Sequence, residues 1–418
     1  MTQTDLFRAD TAPSGLFTPS RSVGLARIEA FTPAMGGRYA GRRNFDFGPD
    51  DRSNVSALSA HVRHRLVLES ELAQAALTAH GISTAEKFLQ EVCWRTYWKG
   101  WLAHRPSVWR DYAAELDLAI AALGKDGALR ERYDRAVEGR TGIACFDAWA
   151  EELATHGWLH NHARMWFASI WIFTLDLPWV LGADFFFRNL IDGDPASNTL
   201  SWRWVGGRQT AGKTYLARAS NIEKYTAGRF APDAADLAPD APEPEDGVDH
   251  PAPAAPPPGV RPDPGAPALL LIHDEDCHPE SWGVDGLDIR GAATLSALDR
   301  RSPLSAGDAA RTFTRGALAD AAEGTRAAFS VDAAPCETLA DVVEAARVCG
   351  AAQIVTQRPH EGPLGDLIDG GRPDMKSAGL AFAELRRDWD RAFYPHATKG
   401  FFKLKKAIPG VLAELGLR

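Results

Sequence analysis

Residues 231–266 restrict the fold of this chain more than any other segment, because they are unsuited to a packed core. They are rich in Pro, Ala and Asp and include the run APAAPPPGVRPDPGAP. Proline has no N–H to donate and stiffens the backbone, so the sequence predicts an extended linker. The linker divides a 418-residue chain, long enough for more than one domain, into two parts. We expect a flexible tail at 1–20, a first domain at 21–230 and a second at 267–418.

The first part is predicted to be mainly helical. Ser83 and Glu86 have the spacing of a capping box before the apolar run FLQEVCWRTYW. A second apolar face at helical spacing comprises Phe146, Trp149, Ala150 and Leu153. The stretch MWFASIWIFTLDLPWVL contains Asp176 and Pro178, which favours a buried helix with a break over a membrane span.

The second part alternates strand and helix signals. The run ALLLIHDED at 268–276 predicts a buried strand, ETLADVVEAARVCG predicts a helix, and AQIVTQ at 352–357 predicts another strand. The segment Lys376–Phe393 has an amphipathic helical pattern. We therefore expect a helical domain followed by a small α/β domain with a parallel sheet.

Composition excludes several classes of protein. The net charge of -9 disfavours a protein that coats nucleic acid electrostatically, although one local basic groove remains compatible with it. The five cysteines are scattered without a CxxC pair, which disfavours a disulfide scaffold, a zinc site and an iron–sulfur cluster. No metal site is predicted. The N-terminus lacks a secretory pattern and no transmembrane stretch is present, so we expect a cytoplasmic protein without a membrane partner.

Tryptophan is unusually concentrated. All but two of the 13 tryptophans lie between Trp94 and Trp204. Such clustering is compatible with a large aromatic core, with a planar aromatic ligand and with electron hopping, and composition does not choose among them.

The densest group of polar residues lies in the motifs GWLHNHARM and LIDGDPASNTLSWRW. Asp192, Asp194 and Asn198 follow one another in a loop interrupted by glycine and proline, which can direct two carboxylates and an amide into one cavity. Arg164 can neutralise a carboxylate, since an unpaired buried charge is costly. A flavin ring carries an N–H donor, carbonyl acceptors and a nitrogen that gains a proton on reduction, and these groups suit it.

Three other interpretations of this region compete with a flavin site. A calcium loop is rejected because DGDPASN lacks the glycine at the sixth position, and Arg203 replaces the bidentate glutamate. Simple surface caps and ion pairs would account for the same residues. The run GRQTAGKT at 207–214 matches a phosphate-loop pattern, with LLLIHDED as the acidic strand, but the preceding SWRWVG is poorly suited to a buried strand. Nucleotide hydrolysis therefore remains an alternative.

Taken together, the motifs identify a resemblance. The stretch from Tyr39 to Arg229 resembles the FAD-binding helical domain of the photolyase and cryptochrome family, through FLQEVCWR, GWLHNHARM and LIDGDPASN followed by WRW, in this order and at consistent distances. The resemblance implies FAD as the cofactor. It leaves the identity of a second, antenna chromophore unknown.

The resemblance also implies roles for single residues near the flavin. The residues similar to those that hold the adenine side and phosphates are Tyr39, Ser56, Leu58, Ser59 and Arg95. Arg164 and Asp192 resemble the ion pair beside the isoalloxazine, and Asp194 resembles the acceptor of the ring N–H. Asn198 occupies the position facing the nitrogen that is protonated on reduction.

Further positions match electron transfer and substrate binding. Trp202 and Trp179 resemble the first two members of the electron-transfer chain of the family. The positions that line the pyrimidine-dimer pocket in photolyases are filled by Glu91, Trp94, Asn161, Met165 and Trp204. Aromatic faces suit a flipped dimer, and a carboxylic acid such as Glu91 can bond thymine carbonyls. Glu91, Asn198, Trp202 and Trp179 are thus the expected catalytic residues.

The chain departs from the family pattern at several positions. The TSRLS-like phosphate segment is VSALS here, with Val55 and Ala57 replacing a hydroxyl and an arginine. His162 stands where a second arginine is usual. No tryptophan occurs between Trp109 and Trp149, where the third member of the chain is expected, and Tyr133 is the proposed substitute.

Domain order differs as well. The ending DWDRAFYPHATKGFFKLKKAIP is similar to the end of the antenna domain that begins other family members, which implies a permuted arrangement. We expect a photolyase-like flavoprotein that transfers an electron to pyrimidine dimers in DNA, preferably single-stranded. A blue-light sensor with a signalling partner is the alternative.

Overall fold

The computed structural model describes residues 13–244 and 247–418. Residues 1–12 of the predicted tail thus lie outside the described residues. Residues 13–17 form a 3-10 turn, and the Phe17 ring lies 5.8 Å from that of Trp158. This part of the predicted tail is therefore anchored to the first domain.

The first part of the chain is helical. Its helices are α1 (Arg21–Phe31), α2 (Gly37–Arg42), α3 (Ser59–Arg63), α4 (Glu69–Thr84), α5 (Glu86–Ala103), α6 (Ser107–Leu123), α7 (Gly127–Val137), α8 (Ala144–His156), α9 (Asn161–Ser169), α10 (Trp179–Asn189), α11 (Pro195–Val205) and α12 (Ala219–Tyr225). A π-helical turn at Ile170–Thr174 extends α9.

Aromatic side chains fill the centre of this part. Trp149, Trp166 and Trp171 are fully buried, and the rings of Phe146 and Phe167 stack with centroids 4.1 Å apart. The tryptophan cluster is thus largely an aromatic core, and each large ring that leaves water contributes to its stability.

Two predictions about the helices are confirmed. The apolar face predicted from Phe146 to Leu153 lies buried on α8. The predicted break is present, because the chain turns at Asp176, with φ of +49°, and Pro178 caps α10. In the part of the chain that the structure describes, no helix is both long and apolar enough to cross a membrane.

The predicted capping box at Ser83 and Glu86 is wrong. Ser83 lies in the last turn of α4, and Ala85 precedes α5 without a side-chain cap. The Glu86 carboxylate instead accepts a 2.7 Å hydrogen bond from Gln90 and lies 3.2 Å from the Lys405 ammonium. Because α4 and α5 follow each other almost without a loop, little room is left for a cap.

The second part is a five-stranded parallel sheet with helices, as predicted. The strands are β1 (Ala268–His273), β2 (Ile289–Leu295), β3 (Ala333–Cys336), β4 (Gln353–Gln357) and β5 (Ala381–Leu385), in the order β3-β2-β1-β4-β5. The helices are α13 (Asp308–Phe329), α14 (Leu339–Cys349), α15 (Pro363–Ser377), α16 (Asp388–Phe393) and α17 (Phe401–Glu414). The two predicted strands, β1 and β4, are adjacent at the centre and fully buried.

The predicted helix over Lys376–Phe393 is wrong. Helix α15 ends at Ser377, and Gly379, with φ of +76°, turns the chain into β5. Only residues from Asp388 onwards are helical again, as α16. Apolar residues spaced for a helix over this range therefore belong to three different elements.

Residues 231–266 contain one 3-10 turn, at Ala234–Asp236, and no strand or α-helix in their described part. The Ala254 N–H donates to the carbonyl of His104 at 2.9 Å, and the Val260 N–H donates to that of Glu384 at 2.8 Å. The segment thus runs from the helical domain to the edge of the sheet.

The last two helices pack on the first domain. The Trp389 indole N–H of α16 donates to the Thr96 hydroxyl at 2.9 Å, and Phe401 of α17 stacks on Trp94 of α5 with ring centroids 3.7 Å apart. Residues from α16 and α17 belong to the same apolar core as α5 and α10. The C-terminus of the chain therefore covers one side of α5.

Candidate functional site

The loop between α10 and α11 holds two buried carboxylates. Asp194 is the N-cap of α11, where its Oδ1 accepts a 2.7 Å hydrogen bond from the Ser197 N–H, and Pro195 fills the first helical position. A Cβ on Gly193 would lie 2.8 Å from the carbonyl oxygen of Phe187, so glycine is required there. The order Asp-Gly-Asp-Pro thereby fixes Asp192 and Asp194 beside each other.

Three cations surround these carboxylates. Arg164 Nη2 lies 2.9 Å from Asp192 Oδ2, and Arg95 lies 3.9 Å from Asp192 and 3.8 Å from Asp194. The Lys99 ammonium lies 3.5 Å from Asp194. Lys99 is absent from the residues predicted above, although its position four residues after Arg95 places both on one face of α5.

The cations keep both carboxylates ionised. Burial raises the pKa of Asp192, but Arg164 and Arg95 outweigh it and leave the pKa below its usual value. For Asp194, burial is opposed chiefly by Lys99 and Arg95, and its pKa is also lowered. Burial lowers the pKa of Lys99, and Asp194 partly restores it.

Asn198 lies one turn after Asp194 on α11. Its Nδ2 donates a 2.8 Å hydrogen bond to the carbonyl of Ala183, which holds the side-chain amide in one orientation. The remaining polar atom is Oδ1, an acceptor. An acceptor here suits a ligand nitrogen that carries a proton.

Several polar atoms of the site fit a flavin ring. Asp192 Oδ1 and the Ser197 hydroxyl are buried without a hydrogen-bond partner among the described residues. The hydrogen bonds of Arg95 to the carbonyls of Asp192 and Ser59 are long, at 3.5 and 3.4 Å. A buried polar atom without a partner costs about 1–3 kcal/mol, which a polar ligand would offset. The carboxylate acceptors and the Arg164 guanidinium match the N–H and carbonyl groups of an isoalloxazine, and the loosely held Arg95 guanidinium can donate to a further acceptor such as a phosphate.

The residues predicted to hold the adenine and phosphates lie on α2, α3 and the loop before α3, except Arg95, which lies on α5. Ser59 adjoins the carboxylates, since its carbonyl accepts from Arg95 and its hydroxyl accepts a 2.9 Å hydrogen bond from the Trp158 indole. Leu58 is buried beside it. Ser56 is held through its carbonyl by Arg27, and Tyr39 packs in an aromatic group with Phe31 and Phe88.

The predicted dimer-pocket residues are only partly free. One face of Trp94 is covered by the stacked Phe401 ring, a long-range contact that local motifs do not reveal. Glu91 is 38% exposed and lies 3.5 Å from Arg43. Asn161 is exposed, Met165 is half-buried, and Trp204 is half-buried with its ring 5.6 Å from that of Tyr215.

The two tryptophans predicted for electron transfer have different neighbours. The Trp202 ring lies 6.2 Å from that of Trp171, which lies 6.0 Å from that of Tyr133. Trp179 lies 5.7 Å from Tyr112, and its indole donates to Glu115. The described contacts thus link Trp202 to Tyr133 through Trp171, a residue that is not among those predicted.

The phosphate-loop alternative lacks its structural context. The segment at 207–214 follows helix α11 instead of a strand, and Lys213 is exposed. The acidic end of β1 is occupied as well, since Asp274 pairs with Arg63 at 3.3 Å and Asp276 with Arg387 at 2.6 Å. Neither half of a nucleotide-hydrolysing site is formed.

Comparisons with known proteins agree with the site. Residues 88–234 match the family model described as the FAD binding domain of DNA photolyase. A deoxyribodipyrimidine photo-lyase of Streptomyces griseus is 34% identical over 199 residues, which are 44% of this chain and 42% of that protein. A deoxyribodipyrimidine photo-lyase of Thermus thermophilus is 34% identical over 197 residues, which are 45% of this chain and 43% of that protein.

Solved structures are similar to this chain as well. The class III photolyase of Agrobacterium tumefaciens is 26% identical, with a TM-score of 0.43, over 53% of this chain and 46% of its own. The chain spans less than half the length of the curated relatives named above. The matched residues 88–234 include most of α5, the carboxylate loop and α11, so the site lies within the part of the chain that is similar to the FAD binding domain of DNA photolyase.

Proposed function

We propose that this protein binds FAD and uses light to split pyrimidine dimers in DNA. The observation that carries the proposal is the buried pair Asp192 and Asp194, surrounded by Arg164, Arg95 and Lys99, within the region that matches the photolyase FAD-binding domain. The similar proteins of Streptomyces and Thermus are named deoxyribodipyrimidine photo-lyases, which supports the same reaction.

The residues of the site suggest a division of roles. Asp194 would accept the ring N–H of bound FAD, and the Arg164–Asp192 pair would hold the ring. Asn198 would offer its Oδ1 to the nitrogen that carries a proton in the reduced cofactor. Reduced FAD, when bound and excited by light, supplies the electron for dimer splitting. Ser59 and Arg95 hold the phosphate side.

We assign the dimer to the space beside Glu91, Trp94 and Trp204. Glu91 would hydrogen-bond the thymine carbonyls, and Asn161 and Met165 would line the wall. Phe401 limits stacking on Trp94 to one face. Burial lowers the pKa of His162 to about 4, so this replacement for an arginine carries no charge for phosphate at neutral pH. We therefore expect weak DNA binding, better on single strands, where base flipping costs less.

A repair assay tests the proposal. The reduced protein is illuminated with dimer-containing DNA, single-stranded and duplex, and undamaged bases are counted. We expect repair in light only, less repair by Glu91→Ala with flavin retained, and weaker lesion binding by Trp204→Ala. Intact dimers on both kinds of DNA would contradict the proposal.

A blue-light sensor is the second candidate. The covered face of Trp94 and the uncharged His162 both disfavour tight lesion binding, and so favour a protein that signals instead of repairing. A sensor would change its oligomeric state or partner binding on illumination. Such a change without repair would favour this second function.

The α/β domain is proposed to be antenna-like. All its strands are parallel, and in the order β3-β2-β1-β4-β5 the chain builds outwards from β1 to one edge and then from β4 to the other. The carboxyl ends of two such neighbouring strands are where sheets of this kind commonly bind ligands. Arg63 of the helical domain reaches this edge and donates to the carbonyl of Asp274.

A further inference from the structure

Helix α17 has one face docked on the helical domain. The side chains that it buries are Phe401, Leu404, Ile408, Val411 and Leu412. The stack of Phe401 on Trp94 and the 3.2 Å ion pair of Lys405 with Glu86 fix its position on α5. The opposite face is therefore presented to solvent on a rigid support.

The outer face is basic and carries a projecting aromatic ring. Phe402 is 74% exposed. Among the described residues, the other large hydrophobic side chains that are exposed are all aliphatic. Lys399, Lys403 and Lys406 are exposed around it, and an open depression is lined by Phe402, Lys403, Lys406 and Ala407. We call Lys399, Phe402, Lys403 and Lys406 the α17 surface.

The charge around α17 is opposite in sign to the net charge of the whole chain. Residues 391–413 contain one arginine, four lysines and no acidic residue, whereas the whole chain has a net charge of -9. Lys403 donates to the Thr398 hydroxyl at 2.9 Å, and the nearby acidic Glu86 is paired with Lys405, which lies outside the α17 surface. The α17 surface thus suits a polyanion.

We infer that the α17 surface binds single-stranded DNA, with the lysines on phosphates and Phe402 stacked on a base. Sequence-tolerant binding of single strands combines a positive surface with aromatic rings on which bases stack. A duplex keeps its base faces covered by neighbouring bases, so a projecting ring gains contact only where a base is unstacked.

Other occupants fit less well. Insertion into a membrane interface uses a broad apolar face, and this surface offers one ring among lysines. A second copy docked on the same surface would oppose lysine to lysine. The surface lies outside the residues that match the photolyase domain, so the inference goes beyond the proposed repair reaction.

The test measures binding of a fluorescently labelled, undamaged oligothymidine to the full chain in the dark. Fluorescence anisotropy gives the affinity at several salt concentrations. Phe402→Ala should weaken binding at least about fivefold, the lower end of the loss expected for one stacked base. The Lys403→Ala/Lys406→Ala variant should weaken binding and reduce the slope of log affinity against log salt by about 1.4, for two lost phosphate contacts on a single strand.

Two matched variants serve as controls. Leu118 is equally exposed, at 74%, and lies on α6, and Lys376 is exposed on α15. Leu118→Ala and Lys376→Ala should bind like the unchanged protein. Equal DNA affinities for Phe402→Ala and the unchanged protein would overturn the inference. It would also be overturned if the protein did not bind the DNA but self-associated or bound vesicles in a way that depends on Phe402. Each of these results would leave the repair proposal intact, because the DNA is undamaged and the protein is kept in the dark.

Discussion

Asp192 and Asp194 couple the stability of the flavin site to pH. Their folded-state pKa values are lowered, so their stabilising effect is complete above the unfolded value of about 3.9 and is lost as the pH falls through the folded values. Asp192→Asn leaves Arg164 short of a partner and should lower the melting temperature of the apoprotein at neutral pH. The difference in melting temperature between this variant and the unchanged protein should become smaller towards about pH 3, as the carboxyls become protonated. A difference in melting temperature that stays constant across this pH range would show that these charges do not govern stability.

The ring contacts around Trp202 make a prediction about photoreduction. Because Trp171 lies between Trp202 and Tyr133, Trp171→Phe and Tyr133→Phe should each slow flavin photoreduction by a thiol donor. Reduction in the unchanged protein is expected to be slow or incomplete, since no tryptophan stands between Trp109 and Trp149, where the family has the surface member of its chain. Transient absorption under blue light measures the rate. Fast, complete reduction in both variants would exclude this path, and Trp179→Phe would then be the variant to compare.

Within helix α10, Asp184 is a fully buried carboxylate, and neither of its oxygens accepts a short, well-aligned hydrogen bond from a described residue. Its nearest cation contact is Arg188, at 3.4 Å. Burial raises its pKa to about 6. A raised carboxyl pKa destabilises the fold increasingly as the pH rises from the unfolded value to the folded one.

Asp184→Asn should therefore raise the melting temperature at about pH 8 and raise it less at about pH 5, where the folded carboxyl is largely protonated. Thermal unfolding followed by circular dichroism measures both values. An equal effect at the two pH values would show that the substitution acts through packing instead of charge.

At the level of elements, the sequence predicted what short-range patterns encode. Helix α8, the break before α10, and strands β1 and β4 follow from local periodicity, proline and apolar runs. The carboxylate loop was predictable because Asp192, Asp194 and Asn198 lie within seven residues. Strands β2, β3 and β5 were not predicted, because they contain Gly, Pro or Ala where a buried strand usually has branched residues.

Contacts between distant segments lay beyond local patterns. The stack of Phe401 on Trp94 joins residues more than 300 positions apart, and it changes the expected shape of the dimer pocket. Lys99 was predictable in principle from its helical spacing to Arg95. The capping box at Ser83 failed because Ser83 is itself helical, in the short stretch between the kink at Gly81 and the start of α5.

Across the whole molecule, Arg65 joins three segments of the chain. Its guanidinium lies 2.7 Å from Asp390 of α16, 3.3 Å from Asp276 after β1 and 3.5 Å from Glu69 of α4, and all four side chains are buried. Removing one partner of a buried network leaves charges uncompensated.

Arg65→Ala should lower the free energy of unfolding by about 3–5 kcal/mol, measured by chemical denaturation. Arg130→Ala is the control, because its ion pair with Asp134 is exposed on α7 and should change stability by at most about 1 kcal/mol. Similar losses for the two variants would show that the Arg65 network does not hold the domains together.

The most direct measurement is the FAD content of the purified protein, from its visible spectrum and from FAD released on denaturation. We predict a yellow protein with stoichiometric FAD and full retention of FAD in Lys213→Ala. FAD should be largely lost in Asp194→Ala, which removes the acceptor beside Lys99 and Arg95. Circular dichroism confirms that each variant is folded. A folded but colourless protein, or one whose flavin content is the same in Asp194→Ala as in the unchanged chain, would contradict this prediction.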